Sequence, residues 1–235
     1  MRHLAAFTLL SCLAGVPNRT LAAPPAPDNA PLTLYTGELP APEFVPPRLK
    51  EEFARSTNLL QRTFNEQGIP FTMVRTDWSR ALNRTRREAN ACLFSAARLP
   101  EREPWFVWIG PIEYSYDDVF GHAGSPPLRS LDELRDATVC ALMDDAPGRQ
   151  LTALGYRVAW SSSLDTCVLN VARGMSQYWV TDRNFGEIAI RKLKLENEVV
   201  SVMQLAKKPL YLACNPAVPK ETLARIRKGL NLPNH

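Results

Sequence analysis

At 235 residues, with 45% hydrophobic and 22% charged side chains, the chain has an ordinary globular composition and is long enough for one large domain or two small ones. Its formal net charge is +4, falling to +2 without the expected leader, which is no nucleic-acid footprint, so no nucleic-acid partner is expected. Only the N-terminus carries an apolar run that has to be weighed against a membrane span.

There, Arg2 and His3 precede LAAFTLLSCLAGV, residues 4–16. The run is too short for a transmembrane helix and suits the core of a secretory signal, with the cut expected after Ala22. A buried N-terminal helix fits less well, because APPAPDNAP follows at once and cannot continue a helix. Cys12 leaves a lipoprotein signal as a minor alternative. Loss of residues 1–22 removes Arg2 and Arg19 and no acid, which lowers the net charge from +4 to +2. Export to the periplasm is the expectation, with 23–31 a flexible Pro/Ala-rich segment.

The elements then follow in order. LTLYT (32–36) reads as a strand and GELPAPEFVPP as a loop. Leu49, Phe53, Leu59, Leu60 and Phe64 share one stripe of a helix over 48–67, ended by Gly68. IPFTMVR is a strand, Asp77 caps a helix from Trp78 to Glu88, and ACLFSA is a third strand. The clustered Arg80, Arg84 and Arg87 fit a solvated helix face. ARLPEREPWFVWIGPI (97–112) is a charged loop between prolines running into an aromatic stretch that ends at Gly110-Pro111.

A second set follows. Ser130 or Asp132 opens a short helix LDELRD, and ATVCALM is a strand. Helix 146–154, strand YRVAW, helix 163–173 closed by Gly174, strand SQYWVT and a helix from about Asp182 come next. VVSVMQLA and PLYLAC are two late strands, and Pro219 opens a last helix over 219–229. Two successive β-α-β-α sets, each followed by a strand pair, point to two α/β lobes with mainly parallel sheets.

Four cysteines remain after export: Cys92, Cys140, Cys167 and Cys214. They allow two disulfides in three connectivities, or buried thiols; with no CxxC pair a zinc site is not expected. His122, in FGHAGSPP, reads as a loop residue, and with His3 and His235 as the only other histidines a metal hydrolase or serine triad lacks its parts. No GxGxxG or P-loop is present, so no cofactor is expected. The adjacent carboxylates Asp117-Asp118 and Asp144-Asp145 suit turn chemistry.

Ligands of open parallel sheets bind beyond the carboxyl ends of strands. Arg102 follows the third strand, where a guanidinium can hold a carboxylate in a bidentate pair; a surface ion pair with Glu101, Glu103 or another acid is the plain alternative. Asp182 opens a helix, either as a simple N-cap or as a carboxylate facing a ligand ammonium. Together the two suit a zwitterion.

LTLYTGELPAPEF, TDWSRAL, ARLPEREPWFVWIGPI, RSLDELRDATVCALMDD, LDTCVLNVARGMSQYWVTD and PLYLACNPAVPKETLARIRKGL, in that order, resemble the extracellular solute-binding proteins of family 3, the amino-acid-type receptors of ABC importers. The resemblance implies a two-lobed type II periplasmic binding fold. Lobe one would comprise 32–112 and 210–235 and lobe two 113–209, with crossings near 112–116 and 206–211. It implies a monomer that closes on a small-molecule solute and presents it to a membrane permease. Arg102 matches the carboxylate-binding arginine and Asp182 the ammonium-binding aspartate. Tyr35 and Phe44 match aromatic walls, and the helix start at Asp145, Ala146 and Pro147 matches a segment whose N–H groups bind the carboxylate. Trp78 reads as packing.

The chain departs from the pattern at Ala97, Leu99, Met175 and Gln177. Asp144 and Asp145 bring negative charge where a carboxylate would bind, and Pro147 removes a donor. An amino acid or related small polar ligand stays the expectation, and these departures add a cationic or hydroxylated ligand, or a cleft without one, as alternatives. Two other roles stay open: an enzyme on this fold (dehydratase-like), with Asp145, Asp182 or His122 as acid or base, and an accessory or sensory protein with a degenerate cleft.

Overall fold

The computed structural model describes residues 30–232; the expected leader, Cys12, His3 and His235 lie outside the described residues. Strands β1 (Leu32–Gly37), β2 (Phe71–Thr76) and β3 (Ala91–Ala97) are parallel, with β1 in the middle. Helix α1 (Pro47–Glu66) buries Leu49, Leu60 and Phe64, the face that its apolar spacing marks out. Pro47 stands at its start, where a missing N–H costs nothing, and Gly68 follows its end with φ +61°. Helix α2 (Trp78–Arg87) begins at Asp77, whose carboxylate accepts the Arg80 N–H at 2.9 Å. Arg80 pairs with Asp77 and Arg84 with Glu88 on its solvated side.

The aromatic run of the opening half does not stop at Gly110-Pro111. Strand β4 runs from Val107 to His122 through a cis Gly110-Pro111 bond and a register shift. Gly110 has φ +139°, and a Cβ there would lie 2.9 Å from the Ile112 nitrogen, so only glycine turns this corner. His122, expected in a loop, is the last residue of β4. Asp117-Asp118, expected in a turn, lies inside the strand and sends one carboxylate to each face. The two late strands are likewise one strand, the final strand β8 (Val199–Cys214), despite Pro209.

The second set comprises β5 (Thr138–Leu142), α3 (Ala146–Ala153), β6 (Arg157–Ser161), α4 (Leu164–Ala172), β7 (Tyr178–Asp182) and α5 (Arg183–Leu193). The short helix before β5 is a 3-10 turn, Leu131–Leu134, opened by a capping box of Ser130 and Glu133. Helix α6 (Lys220–Gly229) returns to the first set, with Leu223 and Ile226 in the core of Leu60 and Phe64.

All eight strands form one sheet in the order β2-β1-β3-β8-β4-β7-β5-β6. The antiparallel β4–β8 ribbon is its spine. Its Val107–Cys214 end pairs with β3, and its His122–Val199 end pairs with β7. Two lobes therefore share one continuous sheet instead of holding separate ones. Each has its own core, around Phe64 and Phe94 in one and around Trp179 and Val180 in the other. Each also has its own disulfide, Cys92–Cys214 between β3 and β8 and Cys140–Cys167 between β5 and α4. Their sequence separations of 122 and 27 residues correspond, in the chain-entropy account, to about 5 and about 3.5 kcal/mol.

Candidate functional site

Where the lobes meet, β4 alternates. Tyr114 and Tyr116 face solvent, whereas Ser115 and Asp117 are buried. Ser115 lies opposite Lys208 on β8, and Asp117 lies opposite Asp182 on β7. Opposed residues in an antiparallel pair share a sheet face, so these four side chains stand on one floor between the lobes. Lys208 closes an ion pair with the Asp117 carboxylate, both well buried. Asp118, on the other face, is held by Arg183 at 2.9 Å and by Ser201 at 2.7 Å and takes no part.

Asp182 accepts the Asn184 and Phe185 N–H groups at 3.0 and 3.3 Å, as an N-cap should. Burial pushes its carboxyl up to about 6, and the nearby Asp117 and Asp145 add to this, while Lys208 pulls it down. Asp145 is raised as well, by burial first and also by Asp117, against Lys208 and Arg102. Glu113, two residues before Ser115, is raised by burial although the Ser95 and Ser56 hydroxyls hold it down. The floor therefore carries more carboxylates than its one ammonium can neutralise.

Arg102 lies above it, in a 3-10 turn (Pro100–Trp105) that follows β3. Only 2% of this residue is exposed. The alternative surface pair with Glu103 does not form, because Arg98 takes that carboxylate at 2.6 Å. Arg102 instead donates to the Ala97 carbonyl at 3.3 Å and, across the cleft, to the Asp144 carbonyl. Burial lowers its pKa, and Asp145 is the leading charge opposing that.

The Asp144 carbonyl also accepts the Trp78 indole N–H at 3.1 Å, and the Ser79 hydroxyl donates to the Met143 carbonyl at 3.1 Å. Asp144 presents this carbonyl from a left-handed turn, φ +61°, which its pairing with Arg149 supports. Trp78 is thus an interlobe donor as well as a packing residue. Ala97 and Leu99 pack on Ala146, with Leu210 beside them. A second row of contacts joins α1 to α5: Asn184 donates to Glu52 at 3.0 Å, and Arg48 pairs with Glu187.

Arg102, Asp182, Asp145 and Ala146 all gather at this interlobe junction. Tyr35 does not join them. It is buried with Leu82, Leu93 and Phe106, and its hydroxyl donates to Glu88 at 2.6 Å; burial first, and then this bond, raise its pKa to about 12. Phe44 sits half-buried in a turn, its N–H on the Ala41 carbonyl. The loop around it lines a separate hollow of about 580 Å³, with Leu39, Pro42, Val45 and Arg75. Gln177 accepts the Thr138 N–H at 2.8 Å and so serves β5. Sequence reasoning missed Glu113, Ser115 and Lys208. The alternation Glu-Tyr-Ser-Tyr-Asp over 113–117 is the signal, once 107–122 is read as one strand.

No family model matches the chain, and no curated protein matches it. Solved structures do. A histidine kinase sensor domain with similarity to periplasmic binding proteins is 20% identical, with 87% of this chain and 91% of that one covered and a TM-score of 0.72. The GluR0 ligand-binding core from Nostoc punctiforme, in complex with L-glutamate, is 17% identical over 86% and 92%, with a TM-score of 0.65. An ancestral arginine-binding protein bound to arginine is 17% identical over 85% and 90%, also at 0.65. The chain has the two-lobed α/β fold of the periplasmic binding proteins.

Proposed function

We propose that this chain is a periplasmic solute receptor. It binds a small polar, amine-bearing solute, an amino acid or a related compound, between its lobes and delivers it to the permease of an ABC importer. The observation that carries this reading is the cluster of Asp117, Asp182, Asp145 and Lys208 where the crossing strands pass between the lobes. A fold has little reason to gather surplus carboxylate charge around a buried Asp117 and half-buried Asp145 and Asp182 unless a cation is to meet it. The lobes close around the β4–β8 ribbon as a hinge, and binding without turnover is the role. Two disulfides agree with an oxidising compartment.

Thermal unfolding against a panel of amino acids, polyamines, oligopeptides and small organic acids tests this reading. A ligand at a hundred times its dissociation constant adds about 2.7 kcal/mol of stability. A selective upward shift supports the receptor, and a flat panel counts against it. A second reading, in which a signalling partner instead of a permease senses closure, is favoured by the likeness to a histidine kinase sensor domain. Retention of the same solute response with no permease captured by crosslinking separates the two.

A further inference from the structure

The groups suited to a ligand carboxylate are already engaged by the protein itself. The Arg102 guanidinium bonds the Ala97 and Asp144 carbonyls. At the start of α3, the Ala146 N–H donates to the Asp145 carboxylate at 2.8 Å, and Pro147 has no N–H to offer. That same Asp145 carboxylate lies within electrostatic reach of both Arg102 and Lys208. One acidic side chain thus caps a helix N-terminus within electrostatic reach of a guanidinium and an ammonium, the three kinds of group that would receive an anion from solution.

The opposite half of the floor shows the reverse. Asp117 and Asp182 stand opposite one another with Lys208 as their shared cation. Beside them the Ser115 hydroxyl, in a residue only 9% exposed, has no hydrogen-bond partner among the described residues. Ser115 lies opposite Lys208 and shares its face, so the hydroxyl is directed at this floor. A buried hydroxyl without a partner is costly, and a donor arriving with a ligand would relieve that cost.

Resting on the receptor reading, we infer that Asp145 occupies the place of a ligand carboxylate, so the cleft rejects α-amino acids and takes a small amine that lacks a carboxylate. Asp117, Asp182 and the Ser115 hydroxyl receive the ammonium. A carboxylate on the ligand would meet Asp145 at close range, and two anions sharing one site repel.

Calorimetric titration of the exported chain with putrescine, glutamine and succinate tests this. The wild type is expected to bind putrescine and neither of the others. Asp145→Asn keeps an N-cap of equal quality and removes the charge. It should gain glutamine binding at least tenfold and lose a comparable factor for putrescine. Asp145→Ser, also a good cap, should behave alike, and unfolding curves confirm that both variants fold. Glutamine binding by the wild type overturns the inference and leaves the receptor reading standing. So does a wild type that takes putrescine while neither variant gains glutamine. No binding of any probe by wild type or variants overturns both.

Discussion

Asp182 is the residue at which stability and binding should part company. Its carboxyl is raised from an ordinary 3.8 to about 6, chiefly by burial. At 1.36 kcal/mol for each pH unit, that difference corresponds to about 3 kcal/mol of destabilisation once the group is ionised in the folded state. The folded state holds this proton more tightly than the unfolded one. The cost is therefore absent below about pH 4, grows between about 4 and 6, and is complete above 6.

Asp182→Asn keeps the side-chain oxygen that accepts the Asn184 and Phe185 N–H groups, and asparagine caps as well as aspartate does. The variant should be more stable than the wild type by about 2–3 kcal/mol at pH 7.5, with the advantage gone at pH 4. It should also lose affinity for the ligand found in the panel. Urea denaturation across pH 4–8, fitted for both proteins, reads the difference directly. A variant less stable than the wild type at pH 7.5, or a difference that does not change with pH, would refute the assignment of Asp182 as a strained cleft carboxylate.

Lys208→Met removes the cation that Asp117 is paired with and that holds down Asp145 and Asp182. At pH 7.5 the loss should be about 3–5 kcal/mol. It should shrink at pH 5, below the value of about 6 to which the Asp182 carboxyl is raised, and denaturation at the two pH values checks both points. Arg102→Ala cuts the bond to the Asp144 carbonyl across the cleft and leaves the Ala97 carbonyl without this donor. A loss of about 2–4 kcal/mol is expected, together with a larger radius of gyration in solution scattering as the lobes part more readily. Arg102→Lys should not restore the compact form, because one ammonium cannot reproduce the fork that spans two carbonyls.

Helix starts and stops were legible because they depend on immediate neighbours. Asp77 and Asp182 cap the helices that follow them, and Gly68 closes the helix before it. The long strands were not legible. Pro111 and Pro209 look like breaks, yet the ribbon absorbs Pro111 at a bend with shifted register and keeps Pro209 in its ladder. Reading breaks there put Asp117-Asp118 in a turn and His122 in a loop, and it hid the alternation that aims Ser115 and Asp117 inward.

Composition and local pattern thus determined the elements, their α/β alternation and the positions of Arg102 beyond its strand and of Asp182 at the start of its helix. What each of those groups meets was decided only by the tertiary structure. Arg102 bonds a carbonyl 42 residues away, Lys208 a carboxylate 91 residues away, and Cys92 a partner 122 residues away. Caps and helix ends arise within one turn of chain, whereas these contacts follow from strand order and register across the whole sheet. A local pattern carries no record of that order, and so an arginine suited to a ligand carboxylate is bonded instead to the opposite lobe.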